Sequence, residues 1–142
     1  MPVEKEVSQS SPRIALDVGL LVKDIERSLG FYRDLIGLSV VGEVTTSLIG
    51  KGRMVQLSYG ESLIKLVQLE SPPQDTSPKG LSAAVGIRYI TLLVVDIEAV
   101  FERLEGANVP ISIPLTRVGN GAIIAMVEDP DGNTVEFVQE SS

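Results

Sequence analysis

At 142 residues, 44% apolar and 22% charged, the chain fits one compact domain or two half-size modules sharing a core, since either half alone would bury too little surface. A net charge of −7 without a cluster of Lys and Arg argues against nucleic-acid binding, and no apolar run approaches the roughly 20 residues of a membrane span. The absence of cysteine removes disulfides, thiolate nucleophiles and thiolate metal sites, and with no apolar secretory leader the expected location is the cytoplasm.

In chain order, residues 1–12 are polar, with Ser8-Gln9-Ser10-Ser11 before Pro12, and read as a flexible arm ahead of one domain at residues 13–142. Ile14 to Val22 is nearly all apolar and predicts a strand buried on both faces. Asp24 is a plausible N-cap for a helix that carries Ile25, Leu29, Phe31, Tyr32, Leu35 and Ile36 and stops at Gly37. Strands are predicted over Leu38 to Thr45, Gly52 to Ser58 and Ser62 to Glu70, the last two joined through Tyr59-Gly60. This is a βαβββ unit, about 13–70. A Pro-rich linker follows at 71–83.

The order then restarts at about 84–140. Ile87 to Val95 predicts a strand, and Asp96 opens a helix with Val100, Phe101 and Leu104 that stops near Gly106. Strands near Ile111 to Val118, Ala122 to Glu128 and Thr134 to Glu140 complete the unit, and Asp129-Pro130-Asp131-Gly132-Asn133 is a turn, too short for a calcium loop. Val18-Gly19-Leu20-Leu21-Val22-Lys23-Asp24-Ile25-Glu26 recurs as Ile90-Thr91-Leu92-Leu93-Val94-Val95-Asp96-Ile97-Glu98, 72 residues later.

This repeat, the run from Val22 to Gly37 (Val-Lys-Asp-Ile-Glu-Arg-Ser-Leu-Gly-Phe-Tyr-Arg-Asp-Leu-Ile-Gly) and the closing Asp129-Pro130-Asp131-Gly132-Asn133-Thr134-Val135-Glu136-Phe137 resemble the vicinal oxygen chelate superfamily, which includes glyoxalase I, bleomycin-resistance proteins, extradiol dioxygenases and methylmalonyl-CoA epimerase. The resemblance covers nearly everything after Arg13. It implies an α+β fold, two βαβββ modules whose sheets curl around a cleft, commonly in a homodimer. In metal-dependent members four side chains, usually His, Glu or Gln, enter the cleft from the first and fourth strands of both modules. The corresponding positions here are Asp17, Lys65, Tyr89 and Glu136.

That set departs from metal chemistry. A protonated Lys repels a divalent cation and a neutral Tyr hydroxyl is a weak ligand, which leaves two carboxylates. No metal or other cofactor is therefore expected, and glutathione-dependent glyoxalase and dioxygenase activities are disfavoured. One reading is a structural ion triad with Lys65 between the carboxylates. A second is metal-independent isomerase, epimerase, lyase or cyclase chemistry on a carbonyl compound, with Lys65 and Tyr89 donating to the oxygen and Asp17 or Glu136 as base or acid. A third is a pocket that sequesters a small molecule or antibiotic without turnover, although three Phe, three Tyr and no Trp offer little stacking surface.

Strand alternation extends the candidate cleft to small-molecule contacts. If Tyr59-Gly60 pairs Ser58 with Glu61, then Met54, Gln56 and Leu63 share the Lys65 face. A matching register across Asp129 to Gly132 puts Ala125 opposite Glu136 and Ile123 opposite Val138. Gly19, Leu21, Thr91 and Leu93 follow Asp17 and Tyr89. Gly50-Lys51-Gly52-Arg53 lacks P-loop spacing and reads as a hairpin connection, with Arg53 a candidate for an anionic group at the cleft mouth.

Overall fold

The computed structural model describes residues 12–142, so the expected arm lies outside the described residues apart from Pro12. The first module is β1 (Val18–Leu21), α1 (Ile25–Leu29) with a π-helical continuation (Gly30–Ile36), β2 (Ser39–Thr46), β3 (Gly52–Tyr59) and β4 (Ser62–Leu69). The second repeats it with β5 (Tyr89–Leu93), α2 (Ile97–Gly106), β6 (Ile111–Arg117), β7 (Ile123–Glu128) and β8 (Thr134–Gln139). Each module makes a four-stranded mixed sheet, ordered β1-β4-β3-β2 and β5-β8-β7-β6, in which only the β1–β4 and β5–β8 pairs are parallel. The duplication expected from the sequence is thus present strand for strand.

Both helices start as the sequence predicts. The Asp24 carboxylate accepts from the amides of Glu26 and Arg27, and Asp96 accepts from Ala99. The first amide of each helix has a partner that sequence patterning does not reveal: Gln68 Oε1 accepts from Ile25 N at 2.7 Å, and Gln139 Oε1 accepts from Ile97 N at 2.9 Å. Each module therefore ties its helix entry to its own fourth strand with a glutamine. The first helix ends at Gly37, whose φ of 100° is the left-handed value that glycine accepts freely.

The π-helical turn allows consecutive Phe31 and Tyr32 to face inward together, edge to face with centroids 4.8 Å apart. In α2 the buried residues Ile97, Val100, Phe101 and Leu104 follow ordinary helical spacing. Both helices pack on the inner sheet faces, and residues from both modules form one hydrophobic core. Tyr32 also joins the modules directly, since its hydroxyl donates to Asp129 of the β7–β8 turn at 2.6 Å.

The first strand of each module is shorter than expected, since β5 begins only at Tyr89 and ends at Leu93, with Ile87 and Val95 exposed outside it. Ile14 and Leu16 are exposed and precede β1, whose ladder with β4 begins at Val18 opposite Ile64. Within β1 the pattern alternates rather than being buried on both faces. Among the described residues, no helix is long and apolar enough to cross a membrane.

Candidate active site

Among the described residues no backbone ladder joins the two sheets: β1 and β5 are edge strands whose free sides border a shared gap. Asp17 immediately precedes β1 and Tyr89 opens β5, so both enter this seam. A cavity of about 590 Å³ occupies it, with Asp17, Leu63, Tyr89 and Thr91 among its walls and aliphatic residues making most of the remainder. The Tyr59 hydroxyl donates to the Leu93 carbonyl, which pins the β3–β4 hairpin to β5 across the gap. Gly19, Leu21, Tyr89, Thr91 and Leu93 are exposed on the open face, while Leu20 and Leu92 turn toward the core.

Asp17 is the most constrained group in the seam. Its Oδ1 accepts from Leu63 N at 2.8 Å and Arg13 Nη1 at 3.1 Å. Its Oδ2 accepts from Arg13 Nη2 at 2.8 Å and lies 3.9 Å from the Lys65 ammonium. Arg13 also donates to the Glu61 carbonyl, so its guanidinium clips the approach to β1 onto the β3–β4 turn. Hydrogen bonding by Arg13, then by the Leu63 amide, lowers the Asp17 pKa from 3.8 to about 2.

Because the folded value is depressed, the contribution of Asp17 to stability is complete above pH 3.8 and is lost as pH falls toward about 2. Replacing Arg13 with Gln is expected to move Asp17 back toward its ordinary titration, read by NMR of the carboxyl carbon. An unchanged midpoint would show that Arg13 does not hold the group. Sequence spacing does not announce this clip, because a four-residue separation signals a contact only in a helix and residues 13–17 are not helical.

Lys65 sits on β4, in register with Gly19 and with Gln56. The next strand has Gly42 opposite Gln56, and a Cβ there would approach the Gln56 Oε1 to 2.8 Å, so glycine leaves the amide its place. Glu136, on β8, lies across from Thr91, whose hydroxyl donates to Glu136 Oε1 at 2.7 Å. Thr91 is thus the orienting partner of Glu136. The structure brings Asp17 to Lys65 and Thr91 to Glu136, and puts Asp17, Tyr89 and Thr91 on one cavity wall.

Two hairpin registers differ from expectation. The β3–β4 turn pairs Tyr59 with Ser62, so Lys65 faces Gln56, Met54 faces Val67 and Leu63 faces Ser58. The slip is two residues, which keeps Met54, Gln56 and Leu63 on the Lys65 face. In the second hairpin Asp129 pairs with Asn133 rather than Gly132, a one-residue slip that reverses the faces. Ala125 therefore lies opposite Phe137, buried in the core, and Ile123 packs toward the core opposite Gln139; Met126 stands across from Glu136 instead. Arg53 is also not at the cleft mouth, because Glu43 at 2.5 Å and Glu26 at 3.3 Å engage its guanidinium.

The donor set does not fit a divalent metal. Both oxygens of Asp17 already face N–H donors, two of them on the Arg13 guanidinium, and Lys65 adds a positive charge where a metal would need a ligand. Among the described residues no group of three His, Cys, Asp or Glu side chains is placed to hold an ion.

A sequence profile of the Glyoxalase/Bleomycin resistance protein/Dioxygenase superfamily matches residues 14–137. A lactoylglutathione lyase of Haemophilus influenzae is 32% identical over 127 residues, covering 87% of this chain and 90% of that protein. The trypanothione-dependent glyoxalase I of Leishmania major superposes with a TM-score of 0.68 at 26% identity, covering 92% of this chain and 88% of that one. A glyoxalase family protein from Bacillus cereus superposes with a TM-score of 0.77 at 17% identity, covering 94% and 99%.

Proposed function

The chain belongs to the glyoxalase/bleomycin resistance protein/dioxygenase superfamily, and within it we propose a metal-independent enzyme that moves a proton on a small carbonyl-containing substrate. The observation that carries this reading is the unequal engagement of the two carboxylates. Asp17 is held by Arg13, Leu63 and Lys65 and is a poor base, whereas Glu136 has a single hydroxyl partner among the described residues. The relatives named lactoylglutathione lyase support lyase-type chemistry.

In the proposed step Glu136 takes a proton from the carbon beside the carbonyl, and the electron pair moves onto the carbonyl oxygen. The Lys65 ammonium, oriented by Asp17, and the Tyr89 hydroxyl donate hydrogen bonds to that oxyanion. Return of the proton to carbon completes an isomerisation or epimerisation. Departure of a β-leaving group, or attack on a second carbon of the same molecule, makes the outcome a lyase or cyclase reaction. No redox change occurs. The aliphatic walls of the seam, with Met54, Gln56 and Leu63 on the Lys65 face, support an alternative in which the cavity holds a ligand without turnover.

The test is metal analysis of purified protein beside a thermal-shift and turnover screen of carbonyl metabolites and cationic antibiotics, repeated on Lys65→Met. The expected result is substoichiometric metal and a hit that wild type converts at least about 10²-fold faster than the variant. Stoichiometric metal would sink the proposal. A hit that stabilises both proteins and is never converted would establish sequestration instead. We also take the working form to be a homodimer, supported by the exposed apolar Leu21, Val41, Val44 and Leu93, and sedimentation of the same sample as a monomer would reject that.

A further inference from the structure

Among the described residues, the buried side-chain polar atoms without a hydrogen-bond partner are Ser28 Oγ and Arg88 Nε. Ser28 lies on α1 within the core, but Arg88 lines a cavity of about 190 Å³ under the linker. Its Nη1 donates to the carbonyls of Pro78 and Gly80, at 3.0 and 3.3 Å, which fixes the plane of the guanidinium. Among the described residues no carboxylate pairs with it, and no Asp or Glu lines its cavity. Among the described residues the edge formed by Nε and Nη2 has no acceptor, both hydrogen bonds coming from Nη1. That edge carries two parallel N–H bonds at the spacing of two oxygens of a carboxylate or phosphate.

We infer that this cavity is an anion subsite, in which the Nε/Nη2 edge of Arg88 takes two oxygens of a carboxylate or phosphate group on a ligand. A buried donor without an acceptor is unfavourable in the empty protein, and an arriving oxygen relieves that cost. Ser77 and Asn133, in the same wall, offer neutral polar groups beside it. The subsite adjoins the seam cavity, since Val18, Ile87, Tyr89 and Ile90 border both. Arg88 immediately precedes β5 and lines only the smaller cavity, whereas Tyr89, which opens the strand, borders both. Resting on the proton-transfer reading above, this extends the substrate class to carbonyl compounds that also carry an acidic group.

The experiment is a titration of the full chain with sodium acetate and, separately, inorganic phosphate, at constant ionic strength against chloride, following by NMR the Arg88 Nε–H resonance in wild type and the backbone amides of Ser77 and Asn133 in wild type and variants alike. A saturable shift is expected with at least one anion, and the affinity is expected to fall about tenfold or more in Arg88→Met. Arg88→Lys, which keeps the charge without the fork, is expected to lose most of it. Saturation by acetate alone assigns a carboxylate, and by phosphate alone a phosphoryl group. Absence of a saturable shift with both anions, or equal affinity in Arg88→Met, overturns the proposal. The wild-type resonance alone is decisive even if the Met variant folds poorly. Lys65→Met is expected to bind the anion unchanged, so failure of the proton-transfer reading and failure of the subsite are separable.

Discussion

Glu136→Gln is expected to lower turnover by about 10²- to 10⁴-fold while leaving the unfolding midpoint near that of wild type. The substitution is close to isosteric. Thr91 can still donate its 2.7 Å hydrogen bond to the remaining carbonyl oxygen, so the β5–β8 register stays supported. What disappears is the proton acceptor. Asp17→Asn offers the contrast, because Asp17 orients Lys65 and is already engaged by Arg13. It should change KM and kcat less. A Glu136→Gln enzyme that retains more than about a tenth of the wild-type kcat would remove Glu136 from the chemistry.

Asp129→Ala is expected to destabilise the chain by about 3 kcal/mol, because one truncation strips several buried donors of their acceptor. Asp129 is 4% exposed. Its carboxylate accepts from the Tyr32 hydroxyl at 2.6 Å, from the amides of Asp131 and Asn133, and from the Asn133 side chain. Truncation leaves the buried Tyr32 hydroxyl without its acceptor and frees the turn amides at once. It also cuts the bond between the first helix and the β7–β8 turn, so the loss falls on the contact between modules. A chain of this size should lose roughly 10 °C in Tm. The check is urea unfolding with the m-value compared, and a loss under about 1 kcal/mol would show that the network is replaceable by water.

The fold was legible because its signals are local and occur twice. Asp24 and Asp96 mark helix entries, Gly37 marks an exit, and the apolar periods between them are helical, so a βαβββ unit can be read in each half. The site was legible only where it depends on strand position. Asp17 and Lys65 come together because β1 runs parallel to β4 with Gly19 beside Lys65, and the repeat carries that logic to Thr91 and Glu136. The parts that failed depend on turn closure. Counting Asn133 outside the Asp129 pair shifts β7 by one residue, which is enough to place Ala125 and Ile123 on the wrong face. Arg13 and Arg88 escaped notice because each acts through an irregular segment, the approach to β1 and the linker, where sequence spacing does not fix distance. The glutamine ties at Gln68 and Gln139 were hidden for a different reason. A polar residue near the end of a strand normally reads as solvent-facing.

Those two amides give the protein an order of failure in acid. An amide does not titrate, so the bonds from Ile25 and Ile97 persist through the range in which Asp17 gains a proton. Acidification should release Arg13 and Lys65 from Asp17 while both helix entries remain fastened to their sheets. A sample returned from that range would then recover as Asp17 reionises, with both helix entries already in place.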